Sequence, residues 1–258
     1  MFIKYRNSQI HTKTYGKGDV IVLLHGFLLS SSIWKDLIPV LSKKNKVITI
    51  DLPGHGLSEC VSDIHSMELI AEVVLFILEE LKIEKASFIG HSMGGYISLA
   101  FAEKYPSKIE TLVLLNSSSD SDSPERKKNR DRAIKIIQTH KEVFIKMAIA
   151  TLFPEKQHKK YQHLIDKFSD EANQFPTEGI IAAIKGMKNR LDRSSILKSF
   201  KGRKYMISGV DDPIIPFSSS EKIALEAKTE LYKVKSGHMS VNENINEIVK
   251  IMHFIEFL

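Results

Sequence analysis

Short apolar runs that close on a glycine recur along the chain and constrain its fold more than any other feature. Three of them are VIVLLHG at residues 20–26, KVITIDLPGHG at 46–56 and KASFIG at 85–90. A short run without polar alternation is typical of a strand that is buried on both faces. Helical spacing follows each run, and this alternation predicts a parallel sheet with helices on both faces.

The spacing of apolar residues places the helices between these strands. The clearest helix is predicted over residues 66–83, with Ser66 as its N-cap. Pro39 falls within a weaker pattern at 31–43, so the helix there is expected to be short or broken. Later elements are a helix at 92–106, strands at 109–118, 203–209 and 230–237, and helices at 218–228 and from about residue 240. The first segments, FIKYRN and QIHTKTYG, are expected to form an antiparallel hairpin on the edge of the sheet.

The alternation of strand and helix patterns stops between about residues 121 and 195, where the patterns are helical and no strand is indicated. The strongest helical patterns there are AIKIIQTHKEVFIKMAIATLF and TEGIIAAIKGMKNRL. The sequence therefore predicts a core formed by residues 1–120 and 196–258, interrupted by a helical insertion at residues 121–195.

The composition is ordinary for a soluble globular protein, with 258 residues of which 43% are hydrophobic and 26% charged. A single cysteine, Cys60, excludes an intramolecular disulfide and is compatible with a reducing compartment. The first ten residues contain no long apolar run and no small-residue cleavage site, and no window of ~18 apolar residues occurs. We therefore expect a cytoplasmic protein that does not insert into membranes.

The basic excess of the chain is concentrated in one segment. Residues 124–193 hold 16 Lys and Arg against 9 Asp and Glu, a net charge of +7, whereas the whole chain carries +6. A solvated surface that keeps the protein soluble accounts for such a charge, and a docking surface for an acidic partner is the alternative. No nucleic-acid-binding motif accompanies the basic residues, so nucleic acid is not an expected partner.

A serine stands between two glycines in the pattern GHSMG at residues 90–94, after a predicted strand and before a predicted helix. In this context the pattern G-x-S-x-G puts the serine on a sharp turn with its Oγ above the carboxyl edge of the sheet. The helix N-terminus favours negative charge that develops there. The sequence predicts Ser92 as a nucleophile, and the alternative is a tight glycine turn with an incidental serine.

A serine nucleophile needs a base, and the base needs an orienting acid. His238 follows the predicted strand ELYKV in a loop, whereas the other histidines precede the serine or lie in helical patterns. For the acid, Asp211 and Asp212 follow the strand that ends in ISG, and only one of these adjacent side chains can point at the histidine. Asp120 and Asp122 are further alternatives, because they follow the strand at 109–118.

The motifs LLHGF, DLPGHGLS, GHSMGG, SGVDDPIIP and SGH occur in the order typical of the α/β-hydrolase superfamily, and nearly the whole chain resembles its members with a helical cap. The resemblance implies a mostly parallel twisted sheet of about eight strands with helices on both faces and a helical cap insertion. The family's acid usually stands three residues after the strand-ending glycine, here Gly209, which favours Asp212 over Asp211. The resemblance also implies an oxyanion hole formed by the backbone N–H groups of Phe27 and Met93.

The expected reaction is acyl transfer to water. Ser92 would attack the carbonyl of a carboxylic ester, His238 would take the proton, and Asp212 would orient the imidazole. Serine at the nucleophile position argues against dehalogenase and epoxide-hydrolase relatives, which resemble this chain but carry aspartate there. The alternatives are a thioester or acyl-carrier-linked ester hydrolase, a lyase or lactonase, and a non-catalytic ligand receptor on the same fold. No cofactor and no metal is expected.

The expected partner is a small acyl ester, and the alternative is a substrate linked to coenzyme A or to an acidic carrier protein. Apolar residues of the insertion are expected in part to hold it on the core and in part to line an acyl pocket. The residues predicted to bind substrate are Phe27, Phe144, Met147, Phe153 and Ile184.

Overall fold

An eight-stranded sheet runs through the computed structural model, which describes residues 1–257. The strands are β1 (Phe2–Tyr5), β2 (Ser8–Tyr15), β3 (Asp19–Leu24), β4 (Asn45–Ile50), β5 (Ala86–His91), β6 (Ile109–Leu115), β7 (Arg203–Gly209) and β8 (Glu230–Val234). Their order across the sheet is β1-β2-β4-β3-β5-β6-β7-β8. The pairs β1–β2 and β2–β4 are antiparallel and the other pairs are parallel, which confirms the mostly parallel sheet with an N-terminal hairpin at its edge.

The central strands are buried because both faces of the sheet are covered. All 6 residues of β5 are buried, and so are the last 5 residues of β6. Leu23, Phe88 and Val113, one from each of the three central strands, are fully buried. Continuous burial of this kind explains why these strands read as unbroken apolar runs in the sequence.

Ten α-helices occur in residues 1–257. They are α1 (Ile38–Leu41), α2 (Met67–Glu80), α3 (Met93–Lys104), α4 (Pro124–Ala150), α5 (His158–Asn173), α6 (Thr177–Lys188), α7 (Ser194–Ser199), α8 (Phe217–Ala227), α9 (Ser240–Glu243) and α10 (Ile245–Phe254). Ser66 caps α2 as predicted, since its hydroxyl accepts a hydrogen bond from the N–H of Leu69. Within the same residues, no helix is both long and apolar enough to cross a bilayer.

Helices lie on both faces of the sheet because the strand order reverses once. The chain steps from β3 to β4 toward the hairpin edge, and then from β4 to β5, β6, β7 and β8 in the opposite direction. Right-handed crossovers therefore place α1 on the face opposite to α2, α3, α7 and α8. The contacts agree, since α2 packs on α3, α3 on α7 and α7 on α8, whereas α1 packs on β4. The reversal leaves a crevice outside the carboxyl ends of β3 and β5, where open α/β sheets commonly bind ligands.

The chain between β6 and β7 is built from α4, α5, α6 and α7, in agreement with the helical patterns of residues 121–195, called the helical segment below. Both α5 and α6 pack against α4, which bends at His140. At the end of the segment Arg193 is buried, and its Nε donates to Glu103 of α3 at 2.8 Å. A second bond from Arg193 to Glu68 of α2 fixes the return of the chain to the sheet. The boundaries predicted for the insertion stay a prediction.

Candidate active site

Ser92 occupies the turn between β5 and α3, and close packing at that turn explains both glycines of GHSMG. The backbone of Ser92 has φ 51° and ψ −114°, a sparsely populated conformation for a residue with a side chain. A Cβ at Gly90 would lie 2.5 Å from the backbone of Gly94, and a Cβ at Gly94 would lie 2.2 Å from the carbonyl oxygen of Leu24. Glycine at both positions therefore lets β3, β5 and α3 approach closely beneath the serine.

The structure brings Ser92, His238 and Asp212 together from three different loops. The Nε2 atom of His238 lies 2.9 Å from Oγ of Ser92, and its Nδ1 atom lies 2.7 Å from Oδ2 of Asp212. Because a carboxylate only accepts hydrogen bonds, Nδ1 carries the proton of the neutral ring and Nε2 is free to accept the serine hydroxyl proton. This geometry is the one required of a nucleophile, a base and an orienting acid.

Asp212 is buried and held as an anion by donors to both of its oxygens. Its Oδ1 accepts from the N–H groups of Ile214 at 2.8 Å and Ile215 at 2.9 Å. Its Oδ2 accepts from Asn116 at 3.0 Å as well as from His238. Burial opposes ionisation, but the charge of His238 and these hydrogen bonds outweigh it and lower the pKa of the Asp212 carboxyl.

The other acid candidates lie elsewhere. Asp211 and Asp120 are exposed to solvent. Asp122 is buried, but its two oxygens bind Arg190 at 2.6 Å and Arg130 at 3.0 Å, so this carboxylate serves the packing of the helical segment. Of the four carboxylates considered from the sequence, Asp212 is the one that meets His238.

The loop after β3, which contains Phe27, is held by a buried histidine. The N–H of Leu52 donates to Nε2 of His25 at 2.9 Å, so Nδ1 of His25 carries the proton and donates to the carbonyl of Gly26 at 2.8 Å. Burial lowers the pKa of His25, against the opposing charge of Asp51, and keeps the ring neutral. Neither the N–H of Phe27 nor that of Met93 donates to another group within residues 1–257. Their assignment as oxyanion donors stays a prediction.

Asn116 supports the site and was missed by the sequence analysis. It follows β6 at the carboxyl edge with a φ of 46°, and its side-chain amide donates to Asp212 at 3.0 Å and to the carbonyl of Gly237 at 3.1 Å. One side chain thereby ties Asp212 to the loop that carries His238. A polar residue just after a parallel strand is the signal that could have identified it.

Two further residues hold the loop of His238. The carboxylate of Glu243 accepts from the N–H groups on either side of the histidine, those of Gly237 at 2.8 Å and Met239 at 3.0 Å. Burial raises the pKa of Glu243, although these two N–H donors oppose the rise. His91 lies 2.9 Å from the carbonyl of His238 through its Nε2, and burial, together with the charge of His238, lowers the pKa of its ring to about 3. Spacing does not reveal Glu243, because its role depends on how α9 packs.

A cavity of about 190 Å³ lies beside Ser92 and His238. Of the residues predicted to bind substrate, Phe27 and Phe144 line it. The other members of that set do not: Met147 is 65% exposed, and Phe153 and Ile184 are buried away from the cavity.

For Met147 the difference has a physical cause in the rotation of α4. The cavity receives Phe144, Ala148 and Thr151, which follow one another at helical spacing, and Met147 projects from a neighbouring strip of the same helix into solvent. Phe153 lies beyond the end of α4 and packs against Tyr161 of α5 with ring centroids 5.3 Å apart.

In residues 1–257 no group of three His, Cys, Asp or Glu side chains is arranged to hold a metal ion.

Comparisons with known proteins agree with this architecture. A family described as alpha/beta hydrolase fold matches residues 19–244. An uncharacterized hydrolase of Bacillus subtilis is 41% identical over 99 residues, which cover 38% of this chain and 36% of that protein. A pimeloyl-[acyl-carrier protein] methyl ester esterase of Nitrosomonas europaea is 33% identical over 111 residues, which cover 43% of this chain and 42% of that protein. The chain thus spans well under two thirds of the length of these curated relatives.

Solved structures extend the agreement to nearly the whole chain. A thermophilic esterase from Thermogutta terrifontis has a TM-score of 0.91 at 27% sequence identity, covering 96% of this chain and 93% of that one. The resemblance inferred from the motifs is confirmed by the match over residues 19–244, and the chain belongs to the alpha/beta hydrolase family.

Proposed function

We propose that the protein hydrolyses carboxylic esters, with Ser92 as nucleophile, His238 as general base and Asp212 as the orienting acid. Oγ of Ser92 attacks the ester carbonyl carbon while Nε2 of His238 takes the hydroxyl proton. The carbonyl π electrons move to the oxygen, which becomes an oxyanion. Collapse of this tetrahedral species breaks the bond to the alcohol oxygen, and the imidazolium of His238 gives that oxygen its proton, leaving an acyl enzyme.

Water completes the reaction by the same steps. His238 takes a proton from water, and the hydroxide oxygen bonds to the acyl carbon. Collapse then breaks the bond from that carbon to Oγ of Ser92, which takes the proton from the imidazolium of His238 as the carboxylic acid leaves. The free N–H groups of Phe27 and Met93 stabilise the oxyanion in both halves of the reaction, each contributing about 3 kcal/mol. Asp212 stabilises the imidazolium because it stays ionised and bonds Nδ1.

The observation that carries the proposal is the pair of contacts made by His238. The buried imidazole bonds a fully hydrogen-bonded carboxylate at 2.7 Å and a serine hydroxyl at 2.9 Å. Proton transfer therefore has a defined direction, from the serine hydroxyl to Nε2 of the imidazole. The serine also stands on a strained turn beside a cavity, which a residue with a merely structural role does not require.

The helical segment acts as a cap in this proposal. Phe144, Ala148 and Leu152 come from α4 or the turn that follows it, and they line the same cavity as Ser92. Apolar side chains above the nucleophile exclude water and give an acyl chain a surface to bury. An aliphatic acyl group on a small ester is the substrate that this lining favours.

A thioester, or an ester carried on coenzyme A or an acidic protein, is the second candidate. The specific observation in its favour is the net charge of +7 in residues 124–193, which extends to the cavity through Arg126 and Arg130. The similarity to an esterase whose name specifies an acyl-carrier substrate adds to it.

Replacement of the nucleophile tests the proposal. Ser92→Ala should lower kcat by about 10⁶-fold and abolish labelling by a fluorophosphonate probe. Ser98→Ala is the matched control, because Ser98 lies on the same helix and bonds only the carbonyl of Gly94. Hydrolysis of p-nitrophenyl esters and of acyl coenzyme A is measured for both variants and for the wild type. Hydrolysis or labelling of Ser92→Ala at the rate of the wild type contradicts the proposal.

A further inference from the structure

Two arginines line the cavity beside Ser92, and no carboxylate lines it. Arg126 and Arg130 lie one turn apart in the first part of α4, and both contribute to the wall that also contains Phe144 and Ile214. The wall includes no Asp or Glu among the residues that the structure describes. An apolar acyl pocket has no need of two guanidinium groups, so their placement requires an explanation.

Arg130 is incompletely neutralised by the protein. Its Nε atom donates to Oδ2 of Asp122 at 3.0 Å, and its side chain is only 22% exposed. Asp122 is fully buried and binds Arg190 more closely, at 2.6 Å, through its other oxygen. One carboxylate therefore serves two guanidinium groups, and this trio keeps a net positive charge. The terminal nitrogens of Arg130 make no hydrogen bond within residues 1–257.

Arg126 bonds only an uncharged group. Its Nη2 atom donates to the carbonyl of Ile214 at 2.6 Å, and within the described part of the chain no Asp or Glu lies at ion-pair distance from it. That carbonyl belongs to the loop whose N–H groups hold Asp212. Arg126 is thereby fixed beside the reaction centre while most of its donors stay free.

Resting on the proposed function, we propose that this cavity selects esters whose acyl chain carries a carboxylate, and that Arg130 together with Arg126 binds that carboxylate. A planar guanidinium matches a carboxylate through paired N–H donors, and the match is stronger where water is partly excluded. The chain of such a half ester would lie along Phe144, with its carbonyl at Ser92 and its carboxylate at the arginines. A neutral ester of the same length leaves the positive charge unmatched.

Monomethyl adipate and methyl hexanoate form a suitable pair of probes. They share a six-carbon acyl chain and a methyl leaving group, and they differ in a terminal carboxylate. Methanol release gives kcat/KM for each, and about 0.5 M salt screens long-range attraction to exposed charges. We expect the wild type to prefer monomethyl adipate.

Arg130→Gln is the informative variant, because Arg190 still neutralises Asp122 when Arg130 is removed. We expect the ratio of kcat/KM for adipate over hexanoate to fall at least tenfold, as loss of a charge-assisted hydrogen bond predicts. Arg130→Lys keeps the positive charge but loses the paired N–H donors of the guanidinium. This variant should therefore retain part of the preference for monomethyl adipate. Lys127→Gln removes the same charge from an exposed position of the same helix and should leave the ratio unchanged. Equal ratios in Arg130→Gln and Lys127→Gln would overturn the inference.

Binding separates this inference from the proposed hydrolysis. Calorimetric titration of Ser92→Ala with each ester measures the dissociation constant in the absence of turnover. Tighter binding of monomethyl adipate that Arg130→Gln weakens supports the carboxylate site even if the wild type hydrolyses neither ester. Equal binding of the two esters, or no binding of either, rejects it. Hydrolysis of both esters at equal kcat/KM rejects the carboxylate site and leaves the esterase proposal intact.

Discussion

Polar side chains at the carboxyl edge of the sheet are held from several directions, whereas the apolar side chains of α4 that face the same cavity are held by packing alone. Asp212 receives four hydrogen bonds on its two oxygens. Phe144 is half-buried and meets the cavity only through the rotation of its helix. The comparison teaches that hydrogen bonds fix the polar side chains of the edge, whereas the position of the apolar side chains depends on how the helical segment packs. Substitutions at the edge should therefore change rates, and substitutions in the segment should change stability or selectivity.

Among the substitutions that test this comparison, the largest effect is expected at Asp212. Asp212→Asn should lower kcat by about 10⁴-fold, because the imidazole loses its orienting anion and can adopt the wrong tautomer. Asp211→Asn changes the adjacent, exposed carboxylate and should stay within a few-fold of the wild type. Steady-state kinetics on p-nitrophenyl butyrate measures both. A larger loss in Asp211→Asn than in Asp212→Asn would mean that the edge is not organised as described.

Substitutions at two apolar residues of the helical segment should have very different effects on the free energy of unfolding. Phe153→Ala should lower the free energy of unfolding by about 3–5 kcal/mol, because a fully buried ring is lost from its contact with Tyr161. Met147→Ala should change it by less than about 0.5 kcal/mol, because that side chain is 65% exposed. Urea unfolding of the two variants gives both values. Similar losses would show that the exposed methionine contributes to packing after all.

The sequence was sufficient to predict the sheet and to place Ser92 and His238 at its carboxyl edge, and the reason is local, whereas the preference for Asp212 over Asp211 depended on the family resemblance. Ser92 and His238 each follow a buried strand at a glycine-containing turn, so their position depends on a few neighbouring residues. The cap-side residues depend instead on the rotation of α4 about its axis. A periodic apolar pattern selects the buried face of a helix but not which part of that face meets a cavity, so the pattern could not indicate that Met147 points away from the cavity.

An intermediate effect is expected for Asn116, which joins Asp212 to the loop of His238. Asn116→Ala removes the amide that bonds both Asp212 and the carbonyl of Gly237. A lost hydrogen bond to a charged group should lower kcat/KM by about 10- to 100-fold. Asn189→Ala is the control, because Asn189 is exposed at the end of α6. Unchanged kinetics in Asn116→Ala would indicate that the four donors to Asp212 are redundant.

Low pH should lower the free energy of unfolding through a buried histidine at the carboxyl edge of the sheet. Burial, with the charge of His25, lowers the pKa of His55 from 6.5 to about 3, so between these values the unfolded chain binds a proton that the folded protein does not. The free energy of unfolding should fall by about 1.4 kcal/mol per pH unit below pH 6.5 for this residue. His55→Gln should flatten that slope, and His163→Gln should not, because His163 is exposed in the helical segment. Urea midpoints from pH 7 to pH 4 test the difference, and parallel slopes in all three proteins would contradict it.

The smallest effect concerns exposed charge on the helical segment, and it separates attraction at a distance from binding in the cavity. Lys127 and Lys128 are exposed on α4, near the arginines that line the cavity. A whole charged face can speed encounter by 10-fold or more, so reversal of these two charges should lower kcat/KM by only about threefold, and only for an anionic carrier-linked substrate at low salt. The effect should vanish as salt shortens the screening length below about 8–10 Å, whereas p-nitrophenyl butyrate should respond to neither change. Equal salt profiles for the two substrates would mean that the net charge of +7 keeps the protein soluble without steering its substrate. The arginine contacts would be unaffected by that result, because a charge inside a partly dry cavity is screened far less than one in solvent.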